Sequence, residues 1–554
     1  MESCPDPSIL KSQTAGDSDW YLFCTNEQFH DNGPLHLMAI SRSNDLVHWK
    51  YVGDVFSQLP KVAPATGGLW APDPEYFNGR YYLYFTIFDT RRFDTKQGGS
   101  AAGAGSAIYV ATSSSLAGPW TVQTGPVVEP EAATCCGGGP RWTIDPNVVE
   151  DNGRRYIFFG SFYGGIFARE LTAGGLGTVA SSEVQIAVDN RYEAPYVVKH
   201  DGYFYLLASA GNCCAGALTG YGVFAARSAN VLGPYTDMAG HTLLEARVGG
   251  TPVLATNGNR WIGPGGNALF TDANGQDWIV YHAVDANKPY FAGNVTTRRP
   301  VLMDPLDWID GWPTVRGGAG PSDTILPAPA VVAGVSAPAA ALLPPDVPGT
   351  LIARLSDNFG GAGLSQQWHW LGAAPSGGLQ LDASSVGFPT QPGDIYKGSS
   401  NAALLAEDAP SGDYLVEVKL STTVPLRGAF DHAQGGVMIY KDEGNYIKLG
   451  ETSISQTRQV EFAKQVSAIS SVPPVYGDTL VAAPGDSVWL RLVKRTGGGQ
   501  ELYTAYSSQD GSTWERGGTW THALGTGTRI ALYSMGHSGF VTQFDYVHVY
   551  ALEN

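Results

Sequence analysis

Five times between its N-terminus and about Trp312 the chain repeats one phrase: an acidic residue or a glycine at or near a proline, a short apolar run, a polar turn, then an aromatic-rich strand. The copies are Asp6-Pro7-Ser8-Ile9-Leu10 with Trp20-Tyr21-Leu22-Phe23, Asp73-Pro74-Glu75-Tyr76 with Tyr81-Tyr82-Leu83-Tyr84, and Asp145-Pro146-Asn147-Val148 with Tyr156-Ile157-Phe158-Phe159. Glu193-Ala194-Pro195-Tyr196 with Tyr203-Phe204-Tyr205-Leu206, and Gly263-Pro264-Gly265-Gly266-Asn267 with Trp278-Ile279-Val280-Tyr281, complete the set. A strand-rich unit repeated at roughly 50 to 70 residues predicts a β-propeller, here with five blades. The innermost strand of each blade lines a shared channel, so Asp6, Asp73, Asp145 and Glu193 are expected at one point of four blades.

Shorter phrases mark the third strands and their exits: Ala39-Ile40-Ser41-Arg42-Ser43, Val110-Ala111-Thr112-Ser113-Ser114 and Ala225-Ala226-Arg227-Ser228, two of them running on to Gly118-Pro119-Trp120 and Gly233-Pro234-Tyr235. From Pro327 to Pro348 the chain is almost wholly Ala, Val, Pro and Leu, the composition of an extended linker packed along a domain seam. Beyond about Thr350 longer alternating strands appear, such as Tyr414-Leu415-Val416-Glu417-Val418 and Trp489-Leu490-Arg491-Leu492-Val493. Period-two alternation of this kind predicts a β-sandwich, closed by pairing of Asp357-Asn358-Phe359 with the final strand. The expected chain is therefore all-β: a five-bladed propeller over 1–326, a linker over 327–349, and a jelly-roll sandwich over 350–554.

With 70 Gly, 35 Pro and 15% charged residues, the composition suits short strands and many turns. A net charge of −17 argues against nucleic acid or an anionic membrane as a partner and is compatible with a neutral substrate. No apolar run is long enough to span a bilayer. Asp6 already belongs to the first repeat, so an export signal is expected to have been removed ahead of it, giving a secreted protein. Cys4 and Cys24 flank the first hairpin and suit a disulfide, with buried free thiols as the alternative. The vicinal pairs Cys135-Cys136 and Cys213-Cys214 lie in glycine-rich loops, and their oxidation state is left open, as is the oligomeric state.

Carboxylates brought together raise one another's pKa, and aromatic walls add desolvation. One can stay protonated while another ionises, which is the pairing that glycosidic cleavage requires. The competing reading is that Asp beside Pro is turn punctuation copied with the repeat. Glu193 departs from that reading, because a turn signal has no reason to lengthen in one blade. From the residues alone there are four candidates, and Asp73 is not ranked against the others.

The phrases Asp6-Pro7-Ser8-Ile9, Trp70-Ala71-Pro72-Asp73, Ile144-Asp145-Pro146-Asn147, Gly160-Ser161-Phe162, Glu193-Ala194-Pro195-Tyr196, Cys213-Cys214, Gly233-Pro234-Tyr235, Val280-Tyr281-His282 and Gly311-Trp312-Pro313 together carry a resemblance. Residues 4 to about 316 resemble family 43 glycoside hydrolases, five-bladed propellers acting on arabinan, xylan and related furanosides or pentosides. The resemblance implies an inverting mechanism with Asp6 as general base, Glu193 as general acid and Asp145 as the carboxylate that orients Glu193 and raises its pKa. A carboxyl separation of roughly 6.5 to 9.5 Å would accord with inversion and about 5 Å with retention. Trp70 becomes an aromatic platform under the terminal sugar, with blade packing as its alternative, and Asp73 a second-line structural position. Asp73, Ser161 and Phe88 join Trp70 as candidate substrate contacts. His282 matches a histidine that binds a metal, usually calcium, on the propeller axis of arabinan-cleaving relatives, with water supplying most ligands; a buried core histidine is the alternative. The sandwich resembles the concanavalin-like modules appended to many glycoside hydrolases.

After Tyr81-Tyr82-Leu83-Tyr84 the chain reads Thr86-Ile87-Phe88-Asp89-Thr90-Arg91-Arg92-Phe93, bulkier and more charged than the arabinanase pattern. Such a loop narrows a groove into a pocket and favours removal of single terminal sugars over internal cleavage. Arg298 and Arg299 either donate to sugar hydroxyls or pair with surface acids. The expected activity is release of terminal furanosyl residues, α-L-arabinofuranosyl first, from an oligo- or polysaccharide, with no organic cofactor. The alternatives are an endo-arabinanase, an exo-β-galactofuranosidase or β-xylosidase, and, outside enzymes, a carbohydrate-binding propeller, for which equivalent binding residues would recur in every blade.

Overall fold

A computed structural model describes residues 2–88, 105–133, 140–334, 342–375, 377–467 and 475–552, nearly all of them strand, turn or short 3-10 segments. Contacts divide the chain into two compact units, one of Met1–Ala210, Val223–Leu244 and Pro264–Leu342, the other of Gly211–Gly222, Glu245–Gly263 and Leu343–Asn554. No helix among the described residues is long and apolar enough to cross a membrane.

The first unit is the five-bladed propeller. Blade one consists of Ser8–Lys11, Trp20–Phe23, Ala39–Ser43 and Lys50–Asp54, each strand antiparallel to the next. Blade two begins at Gly68–Phe77, blade three at Asn147–Asp151, blade four at Tyr192–His200 and blade five at Trp261–Thr271. The aromatic second strands explain why neighbouring blades adhere. Alternation sends successive side chains to opposite faces, so Tyr81, Leu83 and Phe85 pack toward Tyr21, Phe23 and Ile40 of blade one. Tyr82 and Tyr84, on the other face, pack toward Ile157 and Phe159 of blade three. The ring closes where Cys4, Ile9, Trp20 and Leu22 meet Phe270, Trp278 and Val280 of blade five. The Cys4–Cys24 disulfide lies inside that closing cluster, and the Cys4 N–H donates to the Arg299 carbonyl at 2.9 Å. Cys213 and Cys214 are also bonded, whereas Cys135 and Cys136 lie outside the described residues.

The second unit is a sandwich of two antiparallel sheets enclosing one apolar core that includes Val416, Val418, Ile447, Leu449, Phe462, Leu490, Leu492 and Val547. Asp357 and Val547 exchange two backbone hydrogen bonds of 2.8 Å, the closure expected between the opening segment and the last strand. Two segments from the repeat region also belong to this unit. Arg247–Val248 lies parallel to the Thr457–Gln465 strand, with Arg247 opposite Arg458, and Asn257 bridges Thr519. Glycine permits the approach at Gly220, where any Cβ would run into the Asp478 carbonyl.

Candidate active site

Three consecutive residues from each blade line a cavity of about 40 Å³ on the propeller axis: Asp6-Pro7-Ser8, Ala71-Pro72-Asp73, Asp145-Pro146-Asn147, Ala194-Pro195-Tyr196 and Gly266-Asn267-Ala268. In every triplet the first residue has a left-handed backbone, with φ of 47° at Asp6, 48° at Ala71, 56° at Asp145, 49° at Ala194 and 57° at Gly266. Four of these are not glycine, and such strain persists where surrounding structure over-determines it. This shared turn corrects the expected equivalence of the four acids. Asp6 and Asp145 occupy the same point. Asp73 lies two residues further along its strand, level with Ser8 and Asn147, and Glu193 lies one residue ahead of the turn, level with Trp70. In blades two and four the register shift falls at the same place, on Ala71-Pro72 and Ala194-Pro195, so the offset is one of sequence: Asp73 follows that turn and Glu193 precedes it.

The strained turns are held by side chains at the ends of the second strands. Thr25 Oγ1 accepts the Ala71 N–H at 2.8 Å, Thr86 Oγ1 the Asp145 N–H at 3.1 Å, Ser209 Oγ the Gly266 N–H at 3.0 Å, and His282 Nδ1 the Asp6 N–H at 3.1 Å. Each links one blade to the next. The fourth blade breaks the rule: the Ala194 N–H donates to Asp145 Oδ2 at 3.1 Å, and Ser161, at the corresponding strand end, donates to Glu193 Oε2 at 2.8 Å. Thr25 has a second task, donating to Asp6 Oδ2 at 2.6 Å, while Arg299 Nη1 stands 3.9 Å from Asp6 Oδ1.

Burial pushes the Asp145 carboxyl well above the usual range, and the neighbouring Glu193 and Asp6 charges push it further, against the Ala194 N–H and Arg299. Asp145 therefore holds a proton more readily than an ordinary aspartate, beside the Glu193 carboxyl. Asp73 is pushed up to about 7 by burial, although the Val148 N–H (2.8 Å) and Asn147 side chain (3.4 Å) donate to it. Asn147 repeats that contact in the next blade, accepting the Val197 N–H at 2.8 Å. Asp73 is thus a staple between blades two and three.

Such a ring, with Asp6 and Glu193 each held by a hydroxyl and Asp145 beside them, agrees with a family comparison in which residues 2–313 match the model for glycosyl hydrolases family 43. The chain belongs to that family. It is a glycosidase. The hydrolase is 29% identical over 319 residues to an extracellular endo-alpha-(1->5)-L-arabinanase 1 of Bacillus subtilis, covering 56% of this chain and 86% of the relative. It is 31% identical over 338 residues to an extracellular exo-alpha-(1->5)-L-arabinofuranosidase of Cellvibrio japonicus, covering 56% and 85%. A solved alpha-L-arabinanase structure from Cellvibrio cellulosa aligns over 57% of this chain and 96% of its own, with 27% identity and a TM-score of 0.46.

Among the other residues singled out in the hydrolase sequence, Trp70 and Phe88 stack on each other with ring centroids 4.2 Å apart and planes 15° from parallel. The aromatic row continues edge-on through Trp142 (5.8 Å) to Tyr163 (4.8 Å). Trp142 and Tyr163 were not singled out in the sequence, because neither falls in a repeated phrase. Residues 89–93 of the charged loop lie outside the described residues. Ser161 is fully buried and serves Glu193, so it is a partner of the carboxylate instead of a surface for sugar. Arg298 is likewise withdrawn: it is buried over Phe291 and paired with Glu2 (3.0 Å) and Asp31, which leaves Arg299 as the guanidinium beside Asp6. His282 is buried, and burial followed by Arg299 lowers its pKa to about 3 against the opposing pull of Asp6, so the ring is neutral, the form that ligates metals. With Nδ1 accepting the Asp6 N–H, the neutral ring carries its proton on Nε2. A metal at Nε2 requires the other tautomer, with Nδ1–H turned to Asp6 Oδ1, 3.5 Å away. Among the described residues no cluster of three or more His, Cys, Asp or Glu side chains could hold a metal.

Proposed function

We propose that the hydrolase releases terminal α-L-arabinofuranosyl residues from an arabinan-type polysaccharide with inversion at the anomeric carbon. The observation that carries this reading is the broken fivefold pattern at blade four, where Ser161 donates to Glu193 instead of holding the turn's amide, and Asp145 accepts the Ala194 N–H in its place. In the proposed mechanism protonated Glu193 gives its proton to the glycosidic oxygen as the C–O bond breaks. Ionised Asp6, oriented by Thr25, takes a proton from the water that attacks the opposite face. Asp145 holds the Glu193 turn through the Ala194 N–H and shares a proton with Glu193. Trp70 and Phe88 offer an apolar face to the terminal sugar ring.

Arabinan as the substrate class is supported by the two relatives, whose names describe arabinan-directed enzymes, one endo and one exo. The exo mode is supported by the bulk and charge of the sequence Phe88-Asp89-Thr90-Arg91-Arg92-Phe93. Product sizing on linear arabinan tests it: arabinose alone in the earliest samples is expected, and early oligomers favour the endo reading. Anomeric NMR of the first turnovers tests inversion, with the β-furanose expected from an α-linked substrate and the α-anomer contradicting it. Two disulfides and the extracellular relatives support export. Calcium at His282 would take one imidazole nitrogen and water oxygens and would supply positive charge on the axis. Chelation followed by calcium is expected to lower and restore the melting temperature, and indifference to both removes calcium from the proposal.

A further inference from the structure

The sandwich has a cavity of its own, about 180 Å³, on the face of the Thr457–Gln465 sheet that points away from the apolar core. Alternation places Val460, Phe462, Ile447 and Leu449 in the core and Glu461, Lys448 and Thr452 on this other face. Polar side chains on the outer face of a sheet ordinarily meet water, yet Gln434, Lys448, Thr452 and Glu461 are all less than 5% exposed. They form an organised floor. Lys448 Nζ donates to Gln434 Oε1 at 2.6 Å and pairs with Glu461 Oε1 at 3.2 Å, which also accepts the Tyr476 hydroxyl at 2.7 Å. Gln434 reaches on to Asp394 at 3.3 Å.

Two hydroxyls on this face are not satisfied by that network. Thr452 Oγ1, in the cavity lining, is buried with no hydrogen-bond partner among the described residues. The Tyr533 hydroxyl, behind the lining on the same face, also has no hydrogen-bond partner among the described residues and stands over the paired Gly436 and Gly450. A buried hydroxyl without a partner costs roughly 1–3 kcal/mol, so Thr452 Oγ1 in the cavity lining points to a ligand that completes it. At the mouth, Tyr396 and Tyr476 meet edge to face with centroids 4.9 Å apart, and Tyr396 is 38% exposed.

The chemistry of the lining selects the ligand. An anion would face Asp394, Glu461 and Asp478, and a bare cation would face the Lys448 ammonium on the floor. A neutral polyol suffers neither repulsion and can use both the donors and the acceptors present, while an aromatic rim accepts the C–H face of a ring. The volume corresponds to roughly six waters at ~30 Å³ each, the space of one sugar ring and not of a chain. We propose that this cavity is a second saccharide site, taking a single neutral sugar residue, separate from the propeller axis and independent of which glycosidic bond the propeller cleaves.

The test uses the full-length chain carrying Glu193→Gln, titrated at millimolar concentrations with L-arabinose, D-xylose and D-galactose by ligand-observed NMR. At least one sugar is expected to bind, and Tyr396→Ala and Thr452→Val are each expected to weaken that binding roughly tenfold. In the chain with Glu193 intact, the same two substitutions should leave hydrolysis of an aryl arabinofuranoside within about twofold. Tyr396 is exposed, so its truncation is not expected to disturb folding, and Thr452→Val preserves shape. Three outcomes overturn the proposal: none of the sugars binds, binding is the same in both variants, or binding and hydrolysis fall together, which would place the effect on the propeller.

Discussion

The Thr25 side chain does two jobs with one hydroxyl. Its hydroxyl accepts from the Ala71 N–H and donates to Asp6, so one side chain joins two blades and aims a carboxylate. Thr25→Val keeps the shape and removes both contacts. We expect a loss of about 1 kcal/mol in stability, as for a typical hydrogen bond, but a fall in kcat of at least about tenfold, because misplacing a catalytic group costs more in rate than in folding. Thr25→Ser should restore most of the rate, and equal losses in kcat and stability in both variants would make Thr25 a packing residue only. Asp145→Asn probes the shared proton. Removing the neighbouring negative charge makes ionisation of the remaining acids easier, so the alkaline limb of the kcat/KM profile should move to lower pH, and an unmoved limb would uncouple Asp145 from the acid.

Among the elements, the five second strands glue blade to blade through their aromatics, and at the ends of four of them a side chain catches the next blade's turn. The first job was legible in Tyr81-Tyr82-Leu83-Tyr84 and its copies. The second was visible only as the small or polar residue that ends each run, Thr25, Thr86, Ser161, Ser209 and His282, and was not read because its meaning depends on which amide lies opposite. The phase of the acids was hidden for a related reason. Asp-Pro in two repeats, Pro-Asp in another and Glu-Ala-Pro in a fourth mark different places around the turn, but the residue that occupies the turn is identified only by its left-handed backbone. In the sandwich, Glu407 is a strand residue with neither carboxylate oxygen partnered among the described residues, and burial, aided by Asp357, pushes it up to about 8. A carboxyl raised on folding favours the fold below its ordinary pKa near 4 and loses that advantage as pH rises through about 8. Glu407→Gln should therefore change melting temperature little at pH 5 and raise it at pH 9, where the stabilisation is of order 1–3 kcal/mol; an equal effect at both would mean that the carboxylate is not titrating in the fold.

For the whole molecule, the repeat count gave the propeller and the change to long alternating strands gave the sandwich, while the sharing of chain between the units was not legible. Gly211–Gly222 and Glu245–Gly263 read as propeller by position and pack with the sandwich unit. A chain ended after Leu342 lacks the Thr457–Gln465 strand on which Arg247–Val248 pairs. We expect that truncation to reduce soluble yield and melting temperature together, whereas a stable, fully active product would make the second unit a detachable module. The division of labour between Asp6 and Glu193 is tested most directly by leaving-group dependence, with aryl α-L-arabinofuranosides of graded leaving-group pKa and the Glu193→Gln and Asp6→Asn variants. Glu193→Gln should lose roughly 10²–10⁴-fold on poor leaving groups and recover steeply on the best, which need no proton, while Asp6→Asn should stay low across the series. A flat profile for Glu193→Gln, or a steep one for Asp6→Asn, would contradict the assignment of acid and base.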